Sequence, residues 1–161
     1  MNEEEQLDRL IELAGGHARM VLVELKQNLV PSWVLISRDG KIRIVPTPWR
    51  DEEEKQRYVA EVRRLMRKQR VQFYSFVSEA WTATLEPGQW DEAAGQPVDG
   101  IRASKRPERE EAVLSCACSK ELVRWKQWRI VREATTERVI DLKENPIPQC
   151  AFESWISEML K

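Results

Sequence analysis

Residues 71–85 read Val-Gln-Phe-Tyr-Ser-Phe-Val-Ser-Glu-Ala-Trp-Thr-Ala-Thr-Leu, and this stretch limits the fold more than any other. In an extended strand alternate side chains point to opposite faces. Val71, Phe73, Val77, Trp81, Ala83 and Leu85 then share one face, and Tyr74, Phe76 and Ala80 the other. A strand that is apolar on both sides belongs inside a sheet, covered by helices on at least one face. Glu79 falls on the apolar face between Val77 and Trp81, which breaks the local pattern. A carboxylate there needs a partner or a raised pKa. Glu79 is therefore expected to be buried and paired with a basic side chain, Arg129 or Arg109.

The flanking segments supply the cover. Leu7, Leu10, Ile11, Ala14, Ala18 and Val21 recur at helical spacing, predicting one helix over about 3–27. Gly15-Gly16 weakens it, since each glycine costs about 1 kcal/mol relative to alanine, and a kink or two shorter helices is the alternative. A second apolar stripe runs through Tyr58, Val59, Val62, Leu65 and Met66. Two start signals compete for that helix: Thr47 followed by Pro48, or Asp51 with Glu54 three residues on. Its charges complement the helix dipole, with Asp51 to Glu54 at the start and Arg63, Arg64, Arg67 and Lys68 at the end.

Between the helices, Trp33 to Ile36 and Ile42 to Val45 flank Arg38-Asp39-Gly40-Lys41, a strong hairpin signal. Further strands are expected over 112–118, 122–134 and 136–142. Neither face of the middle one is cleanly apolar, which places it at or near an edge. A short closing helix would carry Phe152, Trp155, Ile156 and Met159. The order predicts an α+β fold: a single, mostly antiparallel sheet with helices packed mainly on one face. At 161 residues it is read as one domain spanning 1–161. Residues 86–110 form its long irregular loop, with Pro87, Gly88, Gly95 and Pro97 in its first half and acidic residues preceding basic ones.

Charge and cysteine usage narrow the setting. Lys and Arg number 26 against 27 Asp and Glu, so any polyanion site must be local. No apolar run exceeds four residues, too short for a spanning helix. The acidic start Asn2-Glu3-Glu4-Glu5 fits neither a secretory signal nor a mitochondrial presequence. Three cysteines, two of them separated by a single residue, do not make a disulfide framework, and a cytoplasmic setting is expected.

The residues also narrow the chemistry. His17 is the one histidine, and no G-x-S-x-G elbow accompanies it. Phosphate-cradling glycine motifs are missing. Cys116, Cys118, Cys150 and His17 could be counted as zinc ligands. Yet C-x-C on a strand sets both thiols on one face, about 6.5 Å apart along it, without the usual turn. They are read as core cysteines. Asp141-Leu142-Lys143 with Glu133 and Glu137 offers a weak metal-nuclease pattern. The expectation is no catalytic residue, no metal and no cofactor. Binding residues are expected in the loop: Trp90 as an anchor, with Arg102, Lys105, Arg106 and Arg109 steering a partner.

Two stretches carry a resemblance. Tyr74-Ser75-Phe76-Val77-Ser78-Glu79-Ala80-Trp81 and Ser104-Lys105-Arg106-Pro107-Glu108-Arg109, with Pro48-Trp49 upstream, resemble a group of small prokaryotic and phage-encoded proteins. These carry a "SEAW" strand followed by a loop with proline and arginine. The resemblance spans about 46–118 and implies no particular activity. The expected function is a small, non-enzymatic cytoplasmic interaction protein of the accessory or inhibitor type that phages and mobile elements encode, acting by protein–protein binding. The alternative is a nucleic-acid-binding protein or metal-dependent nuclease. A membrane partner is not expected.

Overall fold

The computed structural model describes residues 1–145 and 154–161; Cys150 and Phe152 lie outside the described residues, as does the side chain of Trp155. Helix α1 (Glu3–Arg19) begins at an Asn2 cap, whose Oδ1 accepts from Glu5 N at 2.9 Å while the Glu5 carboxylate accepts from Asn2 N at 3.0 Å. The helix runs straight through Gly15-Gly16 and only then widens, into a π-helical turn over Met20–Glu24. Lys26, at φ 55°, ends it, and its ammonium reaches Val139 O at 2.9 Å. The glycine pair thus does not break the helix. Gly15 instead lies flat against Trp128: a Cβ there would sit 2.5 Å from its Cζ2, whereas one at Gly16 would meet nothing within 4 Å.

Strands β1 (Ser32–Ser37) and β2 (Ile42–Pro46) make the expected hairpin, with Gly40 at φ 83° in its turn. Helix α2 (Glu52–Lys68) starts at Asp51, which accepts from Glu54 N at 2.8 Å. Thr47, the rival cap, is buried instead; its Oγ1 accepts from the Trp33 indole at 3.2 Å and donates to Pro31 O at 3.0 Å. Strand β3 (Val71–Thr82) leads to a two-stranded hairpin, β4 (Trp90–Asp91) with β5 (Gln96–Pro97), and a 3-10 turn at Ala103–Lys105. Then come β6 (Glu110–Cys118), β7 (Val123–Arg132), β8 (Val139–Glu144) and a 3-10 turn at Ser154–Glu158.

The main sheet has six antiparallel strands in the order β2-β1-β3-β6-β7-β8. β3 sits inside it, as its two apolar faces require. On one face α1 buries Leu7, Leu10, Ile11 and Ala14 against Val77, Val113, Ala117 and Trp128. On the other, α2 sets Val62 and Met66 against Trp33, Tyr74, Phe76 and Cys116, with Ile156 and Met159 closing the layer. Each of the Leu, Ile, Val, Phe and Met side chains among them stabilises the fold by about 1.5–3 kcal/mol when fully buried. α1 covers the broader share of its face, crossing β3, β6 and β7. Among the described residues no helix is long and apolar enough to cross a membrane.

An offset in the register leaves the far end of β3 short of cover. β1 starts opposite Val77, so Ser78 to Thr82 of β3 are paired by β6 alone. α1 also slants away from them. Its ion pairs run from Glu4–Arg124 at 3.1 Å and Glu12–Lys126 at 2.5 Å, on β7, to Arg19–Asp141 at 2.7 Å on β8.

Candidate interaction surface

The segment between β3 and β6 is an ordered arm, and its local chemistry explains why. Gly88 and Gly95 take φ 91° and 63°, conformations that glycine adopts without steric penalty. Asp91 folds the tip by accepting from Ala93 N and Ala94 N at 3.0 and 3.1 Å, and Trp90 pairs with Pro97 across the small hairpin. Asp99 then caps the next turn by accepting from Ile101 N at 2.9 Å. The 3-10 turn packs against β3.

The four basic residues singled out in the sequence divide. Arg106 is buried, its side chain 7% exposed, and forms ion pairs with Asp99 at 2.6 Å and Glu108 at 3.7 Å. It is therefore a clamp inside the arm, which corrects the expectation of a partner-steering charge: a guanidinium brought indoors needs its carboxylates at hand. Arg109 lies 4.6 Å over the Trp81 ring, a cation–π contact, and donates to Arg106 O at 3.4 Å. Arg102 and Lys105 are exposed and form no ion pair among the described residues. Trp90 is half-buried rather than displayed. The apolar groups that do face outward are Trp81, Val98 and Ile101, at 44%, 65% and 44% exposed. Sequence reading missed Val98 and Ile101 because isolated apolar residues in a loop carry no periodicity. It placed Trp81 on the covered face correctly but had no signal that the cover stops short of it.

Glu79 is exposed, which corrects the expectation of a buried charge. Neither Arg129 nor Arg109 pairs with it. It stands at the part of β3 that has lost both β1 and α1. Partial desolvation still raises its carboxyl above the ordinary range; Arg132 pulls it down and Glu111 pushes it up. Arg132 itself is held by Glu111 through contacts at 2.5 and 2.9 Å.

Cys116 and Cys118 are buried on the α2 side of β6, with Sγ atoms 3.2 Å apart. The two side chains lean together, so the thiols are closer than the strand repeat alone would set them. The Cys116 thiol is pushed far up by its hydrogen bond with Cys118 and by burial. Cys118 is lowered by that same hydrogen bond, against burial and with help from the Tyr74 hydroxyl and Lys161. The Tyr74 hydroxyl donates to Ile156 O, tying the last turn of the chain to the sheet. His17 is exposed on α1, and Asp141 is engaged by Arg19, away from Glu133, which accepts from Thr136. Among the described residues no group of three or more His, Cys, Asp or Glu side chains is arranged to hold a metal ion. The chain matches no protein-family model, no curated protein and no solved structure.

Proposed function

We propose that this chain is a non-catalytic binding protein that engages a protein partner through the arm between β3 and β6. One observation carries the reading. The arm is fastened from within by Arg106, Asp99 and Glu108, while the residues Val98, Ile101, Arg102 and Lys105 are exposed on its surface. A segment held rigid while displaying apolar and cationic groups loses little entropy on binding, and that raises affinity for a partner. Arg102 and Lys105 would steer an acidic surface, and Val98 and Ile101 would fill its centre. A small accessory protein of phage or mobile-element type, working in the cytoplasm, fits this mode of action.

Nucleic-acid binding has less support. Arg109 already occupies one face of the Trp81 ring, and Arg106 is spent on Asp99 and Glu108, which leaves fewer groups to stack a base and contact phosphate. The test is a pull-down from the native host, comparing the wild-type chain with Arg102→Glu/Lys105→Glu. The double variant is expected to keep its melting temperature and lose the co-purifying protein. Retention of that protein, or its replacement by nuclease-sensitive material with a steep salt dependence, would reject the reading.

A further inference from the structure

A second surface, at the C-terminal end of α2, carries its own chemistry. An open groove of about 490 Å³ lies between the end of α2, the β1–β2 turn and the last residues of the chain. Five cations line it: Arg38, Arg63, Arg67, Arg70 and Lys161. No Asp or Glu does. Its floor is apolar, built from Met66, Val71, Met159 and Leu160. We infer that this groove binds a small ligand bearing two or more phosphoryl groups next to an apolar or aromatic body, of the nucleoside diphosphate or triphosphate class. The inference is independent of the arm and its partner.

Four observations support it. First, the groove gathers cations without counter-charges in one place, whereas elsewhere among the described residues several arginines are paired and others, such as Arg102, stand singly. Arg19, Arg50, Arg64, Arg106, Arg124 and Arg132 each hold a carboxylate. None of the four groove arginines forms an ion pair among the described residues, although acids and bases are nearly balanced along the chain. The end of α2 accounts for only part of this excess, since a helix C-terminus presents about half a negative charge. Arg38 and Lys161 belong to other elements.

Second, among the described residues the buried Nε of Arg63 has no hydrogen-bond partner, and its Nη2 reaches the Met159 sulfur at 3.7 Å. Buried polar atoms in folded proteins are almost always satisfied, and a ligand oxygen would satisfy this one. Third, Arg70 stands at φ 51°, the position after a helix where glycine is the unstrained choice. Its carbonyl accepts from Arg38 N at 3.1 Å, which holds the two arginine backbones side by side. Lys26 and Glu137 take the same conformation, at φ 55° and 57°, so the pointer to a ligand is the placement of Arg70 beside Arg38 rather than its backbone. Fourth, the donor count favours phosphate over a single carboxylate. Guanidinium forks match phosphate oxygens in pairs and also stack on flat rings, and four forks exceed what one carboxylate can use. The volume falls within the range of small-ligand sites.

Isothermal titration in low-salt buffer tests this, with ATP, pyrophosphate, inorganic phosphate and adenosine as separate probes. ATP is expected to bind most tightly, then pyrophosphate, with inorganic phosphate weak and adenosine silent. Arg70→Gly should weaken ATP by at least about tenfold, the loss of a charge-assisted contact, while the melting temperature holds or rises because glycine relieves the backbone. Arg67→Gln should weaken it similarly, and Arg64→Gln, whose side chain is held by Glu61 at 2.7 Å, should leave it unchanged. Three results would overturn the inference: no heat from ATP or pyrophosphate at millimolar concentration; unchanged affinity in both Arg70→Gly and Arg67→Gln; or tight binding of a single-stranded oligonucleotide that neither ATP nor pyrophosphate displaces, which would make the groove a nucleic-acid surface.

Discussion

At the scale of single residues, two adjacent glycines have opposite roles. Gly15 lets α1 lie directly on the Trp128 ring, and a methyl group there would press to within 2.5 Å of it. Gly16 faces open space. Gly15→Ala is expected to destabilise by about 1–3 kcal/mol through overpacking, and Gly16→Ala to stabilise by up to about 1 kcal/mol through helix propensity. Thermal melts of the two variants check this, and similar shifts in one direction would contradict the packing described. The glycine pair was legible in the sequence as a weakness of the helix. Which member mattered was not, because that depends on where Trp128 arrives from β7, far along the chain.

Glu79 shows the same dependence on distant elements. Its place on the apolar face of β3 could be read from alternation, but burial depends on how far α1 and β1 extend over that face. Its carboxyl titrates above its ordinary value of 4.5, so the folded state prefers the protonated form. The stability from protonation is full below that value and is lost as pH rises through the folded one. At neutral pH the charge is therefore mildly unfavourable. Glu79→Gln should match or exceed the wild-type melting temperature at pH 7, within about 0.5 kcal/mol, and flatten the pH profile above 4.5. A clear loss of stability at pH 7 would restore the buried ion pair that the sequence pattern suggests.

At the scale of elements, the arm between β3 and β6 shows how turn chemistry and tertiary context share the work. Its prolines, glycines and Asp residues announce turns, and the turns are there. The sequence does not disclose which of four nearby cations folds inward, since Arg102, Lys105, Arg106 and Arg109 have similar chemistry. The choice of Arg106 follows from the path that brings Asp99 and Glu108 to it. Arg106→Ala should remove the charge-assisted bonds that fasten the arm. Hydrogen exchange over 90–105 should quicken markedly while the six-stranded sheet stays protected. Uniform exchange would mean that the arm was never held by this clamp.

The same clamp has a pH signature. The Asp99 carboxyl is held below its ordinary value of 3.8, first by the Ile101 N–H and then by Arg106, with slight burial opposing. A depressed folded-state pKa stabilises above the unfolded value and is lost as pH falls through the folded one. The arm should therefore stay closed through neutral and mildly acidic pH. It should loosen only in stronger acid, below that value.

At the scale of the whole molecule, a long strand with two apolar faces led correctly to an interior position in an antiparallel α+β sheet. Alternation and helical spacing are local properties and survive in the sequence. How the cover is shared between faces is not local. α1 spreads over one face and α2 with the closing turn over the other, and the end of β3 is paired by β6 alone. The arm fills the adjoining region and carries the outward-facing groups on which the proposed function rests.

Site-specific photo-crosslinking in the native host measures that proposal most directly. A crosslinker is placed at Val98 or Ile101 on the arm and, as a control, at His17 on the exposed side of α1. Adducts from both arm positions to one and the same protein, with none from His17, are the expected result. Equal labelling from all three sites, nuclease-sensitive adducts, or no arm adduct while another surface captures a protein would contradict it.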